Sequence, residues 1–128
     1  MTIVIAGKNK IAVDALYYLL DNKTIGYDIA ACVNKNDNGI NHWQHSFLWH
    51  CRKSRIHLLD IEECYGIADL YFFSLEFDRI INPVNFKSQN LFNLHFSLLP
   101  AYKGMYTSVL PLLYGEKYSG VTLHEINQ

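Results

Sequence analysis

The sequence has no excess of charge of either sign and few charged residues of any kind. Its 128 residues include 11 basic and 12 acidic side chains, which gives a net charge of −1. Such a balance provides no general electrostatic attraction for nucleic acid or for acidic membranes, so we expect neither as a partner. Half of the residues are hydrophobic, as is usual for one globular domain.

Cysteine and long apolar segments are also scarce. The three cysteines, Cys32, Cys51 and Cys64, are odd in number and unrelated in spacing. They therefore predict neither a disulfide framework nor a paired metal motif, and we expect Cys32 and Cys64 to be packed thiols. No apolar run approaches the roughly 20 residues of a membrane helix, and the N-terminus has no signal-peptide pattern. These absences predict a cytoplasmic protein.

Short apolar segments alternate with amphipathic ones along the chain. The strands are predicted at residues 2–6, 28–33, 56–59, 70–73, 91–95 and 120–126. The helices are predicted at residues 12–21, 42–53, 60–65 and 108–114. This alternation indicates an α/β fold with a mostly parallel sheet covered by helices on both faces. In such sheets ligands bind beyond the carboxyl ends of the strands.

The most informative segment is the predicted strand 91–95 and the loop after it. Residues two apart in a strand point to the same face, so Asn93 and His95 would project together. An amide donor beside an imidazole base suits chemistry at a carbonyl carbon. An Asn and a His that only close a strand by local hydrogen bonds would give the same pattern. The defined loop 97–104 after it favours the chemical interpretation.

The turn Gly7-Lys8-Asn9-Lys10 follows the first predicted strand. It lacks the glycine spacing of dinucleotide-binding and Walker loops. It could present backbone N–H groups and two ammonium groups to a phosphate at a helix start. An ordinary solvated turn would have the same composition, so both interpretations stay open.

A group of metal-ligating residue types lies between positions 42 and 51. Its members are His42, His45, His50 and Cys51. Their spacing matches no zinc signature, and we expect a polar helix face and no metal site there.

The loop motif and the final predicted strand together resemble a known family. The matching stretches are N-L-H-F-S-L-L-P-A-Y-K-G-M-Y-T-S at residues 93–108, Gly115-Glu116, and G-V-T-L-H at residues 120–124. They resemble the 10-formyltetrahydrofolate-dependent formyltransferases. Other members have Pro at position 96. The Phe96 found here instead resembles the bacterial sugar N-formyltransferases. Those enzymes formylate an amino-dideoxysugar, typically dTDP-linked, for surface polysaccharides such as O-antigen.

The resemblance extends over residues 1–128 and implies a Rossmann-like N-terminal catalytic domain that performs direct acyl transfer. The co-substrate would be 10-formyltetrahydrofolate, and the acceptor would be the amine of a dTDP-linked amino sugar. By resemblance, His95 would take the proton of the attacking amine, and Asn93 would donate a hydrogen bond to the developing oxyanion.

The family has a third catalytic residue, an Asp in a D-x-G turn just after the G-V-T-x-H strand. The sequence ends at Gln128, before that point. We therefore expect a C-terminally truncated, incomplete catalytic domain with weak or no activity of its own. A homodimer is expected for the full-length parent.

Further site residues follow from the same resemblance. Substrate phosphates are expected at Lys8, Asn9 and Lys10. The nucleotide-sugar side is expected at Phe73, Ser74, Glu76, Phe77, Met105, Tyr106 and Thr107. The folate is expected at Arg79, Ile80, Ile81 and Asn82, where backbone groups would recognise the pteridine edge. Plain loop packing is the alternative at each of these positions.

Two other functions stay open at this point. A formyltransferase with a different amine acceptor, or a formyl-folate hydrolase, would share the N-x-H chemistry. A catalytically inactive module would keep the cleft for a nucleotide-sugar or a folate, and the missing Asp favours that interpretation for this chain. Ligand binding without turnover would distinguish the inactive module from the enzymes.

Overall fold

The computed structural model describes residues 1–23, 26–104 and 107–127, so the predicted substrate residues Met105 and Tyr106 lie outside the described residues. Its strands are β1 (Thr2–Gly7), β2 (Asp28–Val33), β3 (His57–Leu58), β4 (Leu70–Leu75), β5 (Leu91–His95) and β6 (Thr122–Glu125). Its α-helices are α1 (Asn9–Asp21), α2 (Phe47–Lys53), α3 (Ile61–Cys64) and α4 (Leu110–Leu113), and a 3-10 helix spans Pro83–Asn85.

The strands form one sheet in the order β3-β2-β1-β4-β5-β6. All neighbouring pairs are parallel except β5 and β6, which are antiparallel. The predicted mostly parallel α/β sheet is therefore confirmed, with an antiparallel strand added at one edge. The central strand β1 pairs with β2 on one side and β4 on the other, which places its carboxyl end in the middle of the sheet.

Helices cover both faces of this sheet, as the sequence predicts. Val4 and Ile5 are both buried but point to opposite faces, because side chains alternate along a strand. Ile5 packs with α1 and α2 in one apolar cluster. Val4 packs in a second cluster with α3, in which the thiols of Cys32 and Cys64 lie 3.5 Å apart. The expectation of packed thiols is confirmed for both cysteines.

The start of α2 differs from the prediction. The spacing predicts a helix over 42–53, but the helix begins at Phe47 because Ser46 caps it, its Oγ accepting a hydrogen bond from Trp49 N at 3.0 Å. Asp37 holds this cap from the preceding loop, since its carboxylate accepts from Ser46 Oγ at 2.6 Å. Trp43, which the predicted helix would have placed on the apolar face, is 87% exposed.

Other element boundaries differ less. The predicted cap at Asp60 is confirmed, because its N–H donates to the Glu63 carboxylate at 2.7 Å in a capping box. The strand predicted at 70–73 extends to Leu75, where it pairs with β5. The helix expected over 108–114 spans only Leu110–Leu113.

The turn after β1 depends on a close backbone approach. A Cβ atom at Gly7 would lie 1.9 Å from the carbonyl oxygen of Leu75, so only glycine fits there. The amide of Lys8 donates to that same oxygen at 3.3 Å, which ties the β1–α1 turn to the end of β4. Across the described ranges, no helix has the length and apolar character needed to cross a membrane.

Candidate active site

The carboxyl ends of β1, β4 and β5 border a cleft of about 840 Å³. Asn93 and His95, two residues apart on β5, both line it. Asn93 is paired in register with Ser74 of β4 on one side and with His124 of β6 on the other. Leu91, one alternation earlier on the same face, is fully buried and anchors the strand.

The imidazole of His95 is held by a backbone group. Its Nε2 lies 2.8 Å from the carbonyl oxygen of Tyr102. A carbonyl only accepts hydrogen bonds, so Nε2 carries the proton, and Nδ1 of the neutral ring has a lone pair with no partner among the described residues. That lone pair can accept a proton in the cleft. The carbonyl orients the ring as a carboxylate would, but it supplies no negative charge to stabilise an imidazolium.

The loop that presents this carbonyl is braced at several points. Tyr102 is in the left-handed region at φ 55°, and Ser97 Oγ donates to the carbonyls of Ala101 and Tyr102 at 2.7 and 3.3 Å. The phenol of Tyr102 donates to the Glu116 carboxylate at 2.6 Å, and this hydrogen bond raises the pKa of Tyr102. Thr122 of β6 donates to the carbonyl of Ser97 at 2.7 Å. The loop is thereby joined to the last strand.

A second histidine fixes the amide of Asn93. Nδ1 of His124 lies 2.9 Å from the carbonyl of Glu125, so Nδ1 carries the proton and Nε2 is an acceptor. Nδ2 of Asn93 is 3.2 Å from that Nε2 and therefore donates to it. Among the described residues, the second N–H of the amide and its oxygen have no side-chain partner, and that N–H is the donor that an oxyanion in the cleft needs.

Glu76, which lines the cleft, contacts a second residue with an unusual backbone conformation. Glu76 and Asn9 both have positive φ, 61° and 60°, and Asn9 Nδ2 donates to the Glu76 carboxylate at 3.0 Å. Asn34, at the end of β2, donates to the Glu76 carbonyl at 2.9 Å. Non-glycine residues in this conformation store strain, and such strain clusters at functional sites.

Several of the residues expected by resemblance line the cleft with Asn93 and His95. They are Lys8, Glu76, Phe77, Arg79, Ile80 and Thr107. Ser74 adjoins Asn93 in the sheet but is buried, with 5% of its surface exposed.

The remaining expected residues lie elsewhere. Phe73 points to the other face of the sheet, where it stacks on Phe92 at 5.2 Å, because it alternates with Ser74 along β4. Lys10 pairs with Asp14 at 2.6 Å on the exposed side of α1. Ile81 packs against the core. Asn82 caps the 3-10 helix, and Asn9 borders a neighbouring cavity.

The structure also brings in groups that the sequence does not single out for this cleft. Asn34 lines it, is 2% exposed, and its Oδ1 has no partner among the described residues. His124 has the sequence pattern of an ordinary strand residue, and the register of β6 reveals its contact with Asn93. The carbonyl of Tyr102 leaves no signal in a sequence, since any residue has one.

The histidines near position 45 do not form a helix face. His42 and His45 precede α2, and only His50 lies within it. Across residues 1–23, 26–104 and 107–127, no cluster of three or more His, Cys, Asp or Glu side chains could hold a metal ion.

Residues 74–128 match the formyl transferase family. The structure is similar to that of WlaRD, a sugar 3N-formyltransferase crystallised in the presence of dTDP and 5-N-formyl-THF, with 50% identity and a TM-score of 0.92. It is also similar to an N-formyltransferase from Helicobacter canadensis in complex with folinic acid and dTDP-3-aminofucose, with 49% identity and a TM-score of 0.91.

These similarities cover 99% and 98% of the chain, which spans 46% of the length of each of the two proteins. A phosphoribosylglycinamide formyltransferase from Coxiella burnetii has the same fold at 19% identity, with a TM-score of 0.71 over 100% of this chain and 66% of its own.

Proposed function

We propose that the chain is a member of the formyl transferase family and that it serves to transfer a formyl group from 10-formyltetrahydrofolate to the amine of a dTDP-linked amino sugar. Two sugar N-formyltransferases that are about half identical to it support this acceptor class. Their crystals contain reduced folates and dTDP or a dTDP-amino sugar.

The single observation that carries the proposal is that Asn93 has a hydrogen-bond donor and His95 an acceptor available at the same cleft. Asn93 offers an N–H and His95 offers a lone pair into the same cleft, because their other positions are occupied by His124 and by Tyr102. Acyl transfer to an amine needs both groups. Charge develops on the formyl oxygen while the attacking nitrogen must lose a proton.

The reaction then proceeds by addition and elimination. The neutral sugar amine attacks the formyl carbon, and the carbonyl oxygen becomes an oxyanion that accepts a hydrogen bond from Asn93. His95 Nδ1 accepts the proton of the nitrogen and returns it to the folate nitrogen, as the oxyanion re-forms the carbonyl and the C–N bond to the folate breaks. One donor of this kind contributes on the order of 3 kcal/mol to the stability of the transition state.

The residues around the pair divide between the two substrates. We assign Arg79, Ile80, Ile81 and Asn82 to the folate and Lys8, Asn9, Glu76, Phe77 and Thr107 to the nucleotide-sugar. Lys8, Glu76, Phe77, Arg79, Ile80 and Thr107 line the cleft, which supports their part of this assignment.

A cytoplasmic location and a homodimer are part of the proposal. The free thiols of Cys32, Cys51 and Cys64 support a reducing compartment. Burial raises the pKa of Cys51 to about 12, which keeps that thiol protonated and unreactive. Light scattering of the purified protein tests the assembly state.

The test is a formyl-transfer assay on the purified protein, with 10-formyltetrahydrofolate and dTDP-3-aminofucose and with mass spectrometry of the sugar nucleotide. Asn93→Ala should lower kcat by roughly 10²–10³, the usual loss for an oxyanion donor. The folate Kd should stay unchanged. Asn85→Ala, on the exposed side of the 3-10 helix, is the matched control and should retain full turnover.

Each remaining result has a definite meaning. If substitutions at Asn93 and His95 leave the turnover unchanged, the proposed mechanism is wrong. Binding of folate and dTDP-sugar without turnover at high protein concentration supports a binding module instead. Binding of neither ligand rejects the proposed function altogether.

A further inference from the structure

Five consecutive residues after β4 line the cleft together with Asn93 and His95. They are Glu76, Phe77, Asp78, Arg79 and Ile80. Leu75, the last residue of β4, pairs with Leu94 of β5, so the chain leaves β4 beside His95. Segment 76–80 therefore forms a wall of the cleft next to the two candidate catalytic residues, and its path decides where a bound substrate can lie.

This segment begins with a strained turn. Glu76 has φ 61°, in the left-handed region that residues with a side chain seldom adopt. Strain of this kind persists only where the surrounding structure holds it. The carbonyl oxygen of Glu76 accepts a hydrogen bond from Nδ2 of Asn34 at 2.9 Å. Asn34 directly follows β2, and β1 separates β2 from β4, so this side chain reaches across the end of the central strand.

Asn34 is itself firmly placed. Its surface is 2% exposed. Its backbone N–H donates to the carbonyl of Gly7 at 3.3 Å, and its backbone carbonyl accepts from Asp37 N at 3.1 Å. The carboxamide that holds Glu76 therefore extends from a backbone whose donor and acceptor are both engaged.

The side-chain oxygen of Asn34 distinguishes this residue from an ordinary buried amide. Its Oδ1 has no partner among the described residues, whereas an amide that only stabilises the interior normally has its oxygen paired as well. A buried acceptor without a partner costs free energy. An unpaired oxygen and a left-handed backbone thus meet at a single hydrogen bond beside the cleft, and such costs accumulate at functional sites.

The rest of the segment is anchored without the side chain of Asn34. Phe77 packs against the apolar cluster on the α3 side of the sheet. The carboxylate of Asp78 accepts from the backbone N–H of Lys35 at 2.8 Å, and Arg79 donates to a carboxylate of α3 at 3.0 Å. Removal of the Asn34 carboxamide should therefore shift the start of the wall and leave the segment folded.

We propose that Asn34 is a positioning residue for the folate: its carboxamide holds the turn at Glu76, and that turn sets segment 76–80 against the folate in the cleft. The inference deepens the proposed function and rests on it, because Arg79 and Ile80 are assigned there to the folate. Ile80 is 98% exposed and gives this wall an apolar surface for a ligand to cover. Asn34 acts through Glu76 and needs no contact with the ligand.

The test is calorimetric titration of the purified protein with folinic acid and, separately, with dTDP. Asn34→Ala removes the donor and should weaken the binding of folinic acid by about tenfold, the loss of one hydrogen bond. Asn34→Asp keeps the size of the side chain but cannot donate, so it should weaken binding equally. The affinity for dTDP should stay unchanged in both variants.

The matched control is Asn22→Ala. Nδ2 of Asn22 also donates to a backbone carbonyl, that of Tyr18 at 2.8 Å, but it does so at the exposed end of α1. Its removal should leave both affinities unchanged.

A second substitution tests whether Asn34 acts through the turn. Glycine adopts the left-handed conformation without strain, so Glu76→Gly removes the need for the hydrogen bond. In the Glu76→Gly background, the further change Asn34→Ala should alter the affinity for folinic acid little. A purely structural role of Asn34 would give the same loss in both backgrounds.

The outcomes separate this inference from the proposed function. If the wild type binds folinic acid and Asn34→Ala binds it equally well, Asn34 has no positioning role and the function stands. If dTDP affinity falls in parallel, or if Glu76→Gly does not reduce the loss, the inference is wrong. If the wild type does not bind folinic acid, the proposed function itself fails. Thermal melts accompany each titration, and Asn34→Asp decides the result if Asn34→Ala is unfolded.

Discussion

Asn93 and His124 face each other across the antiparallel pair of β5 and β6, with Nδ2 of the amide 3.2 Å from Nε2 of the imidazole. The Nδ1–H of His124 donates a hydrogen bond to the Glu125 carbonyl, so Nε2 of the neutral ring can only accept from Asn93. The edge strand thus determines which way the amide of Asn93 points. Without this contact, the amide could rotate and present its oxygen where a donor is needed.

His124→Phe should lower kcat by roughly tenfold or more, part of the 10²–10³ that loss of a complete oxyanion donor costs. The KM for folate should change little, because His124 does not line the cleft. His124→Gln offers an acceptor oxygen and should restore part of the rate. If Gln and Phe behave alike in steady-state assays, His124 acts only through packing.

Gly7→Ala should destabilise the fold by about 2–3 kcal/mol, as expected for an overpacked site. The added methyl group would collide with backbone rather than with a movable side chain, since Leu75 O lies 1.9 Å from the Cβ position. Urea unfolding measures the loss. Gly66→Ala is the control, because no atom of the described residues lies within 4 Å of its Cβ position. A stability of Gly7→Ala equal to that of Gly66→Ala would contradict the close approach.

Arg55→Gly should stabilise the protein by roughly 0.5–1 kcal/mol. Arg55 follows the end of α2 at φ 54°, a conformation that glycine adopts without strain. Ile56 N donates to the Cys51 carbonyl at 2.9 Å, as in a Schellman motif, and this bond does not depend on the side chain. Lys53→Gly, within α2, should instead destabilise. A lower melting temperature for Arg55→Gly would contradict the prediction.

The free energy of unfolding should fall as the pH decreases below 6.5, in part because of His50. Burial, together with the nearby His45 and Lys53, lowers the pKa of His50 from its usual 6.5. Between the lowered pKa and pH 6.5, His50 binds more protons in the unfolded chain than in the folded chain. Its contribution to the free energy of unfolding is therefore fully present above pH 6.5 and is lost as the pH falls. Above 6.5 this contribution should not change with pH.

Urea titrations at about pH 7.5 and about pH 5 measure this effect. His50→Gln should show a smaller loss of stability between the two pH values than the wild type. His57→Gln, an exposed histidine on β3, should retain the wild-type loss. Equal losses in wild type and His50→Gln would exclude His50 as a source of acid sensitivity.

The order of strands and helices could be predicted from the sequence because apolar periodicity reports burial directly. The failure at 42–46 has a physical cause. Trp43 and Phe47 have helical spacing. However, the carboxylate of Asp37, nine residues before Ser46, accepts a hydrogen bond from the Ser46 hydroxyl, and the helix begins only after Ser46. A contact of that range is not encoded in local spacing.

The placement of Asn93 and His95 in one cleft followed from strand alternation and from the carboxyl-end rule. The same alternation, applied to β4, would have excluded Phe73, because Phe73 and Ser74 cannot share a face. His124 could not be assigned, because the register of an antiparallel edge strand depends on the length and path of the preceding loop.

The partner of His95 is a main-chain oxygen, and this has a consequence for how the protein can vary. No substitution at position 102 removes the backbone carbonyl, so the orientation of the His95 ring does not depend on which side chain is present at position 102. What position 102 must preserve is a left-handed backbone, which Gly, Asn or Asp would supply and a β-branched residue would resist. Substitutions at position 102 should therefore change the rigidity of the loop and leave the tautomer of His95 unchanged.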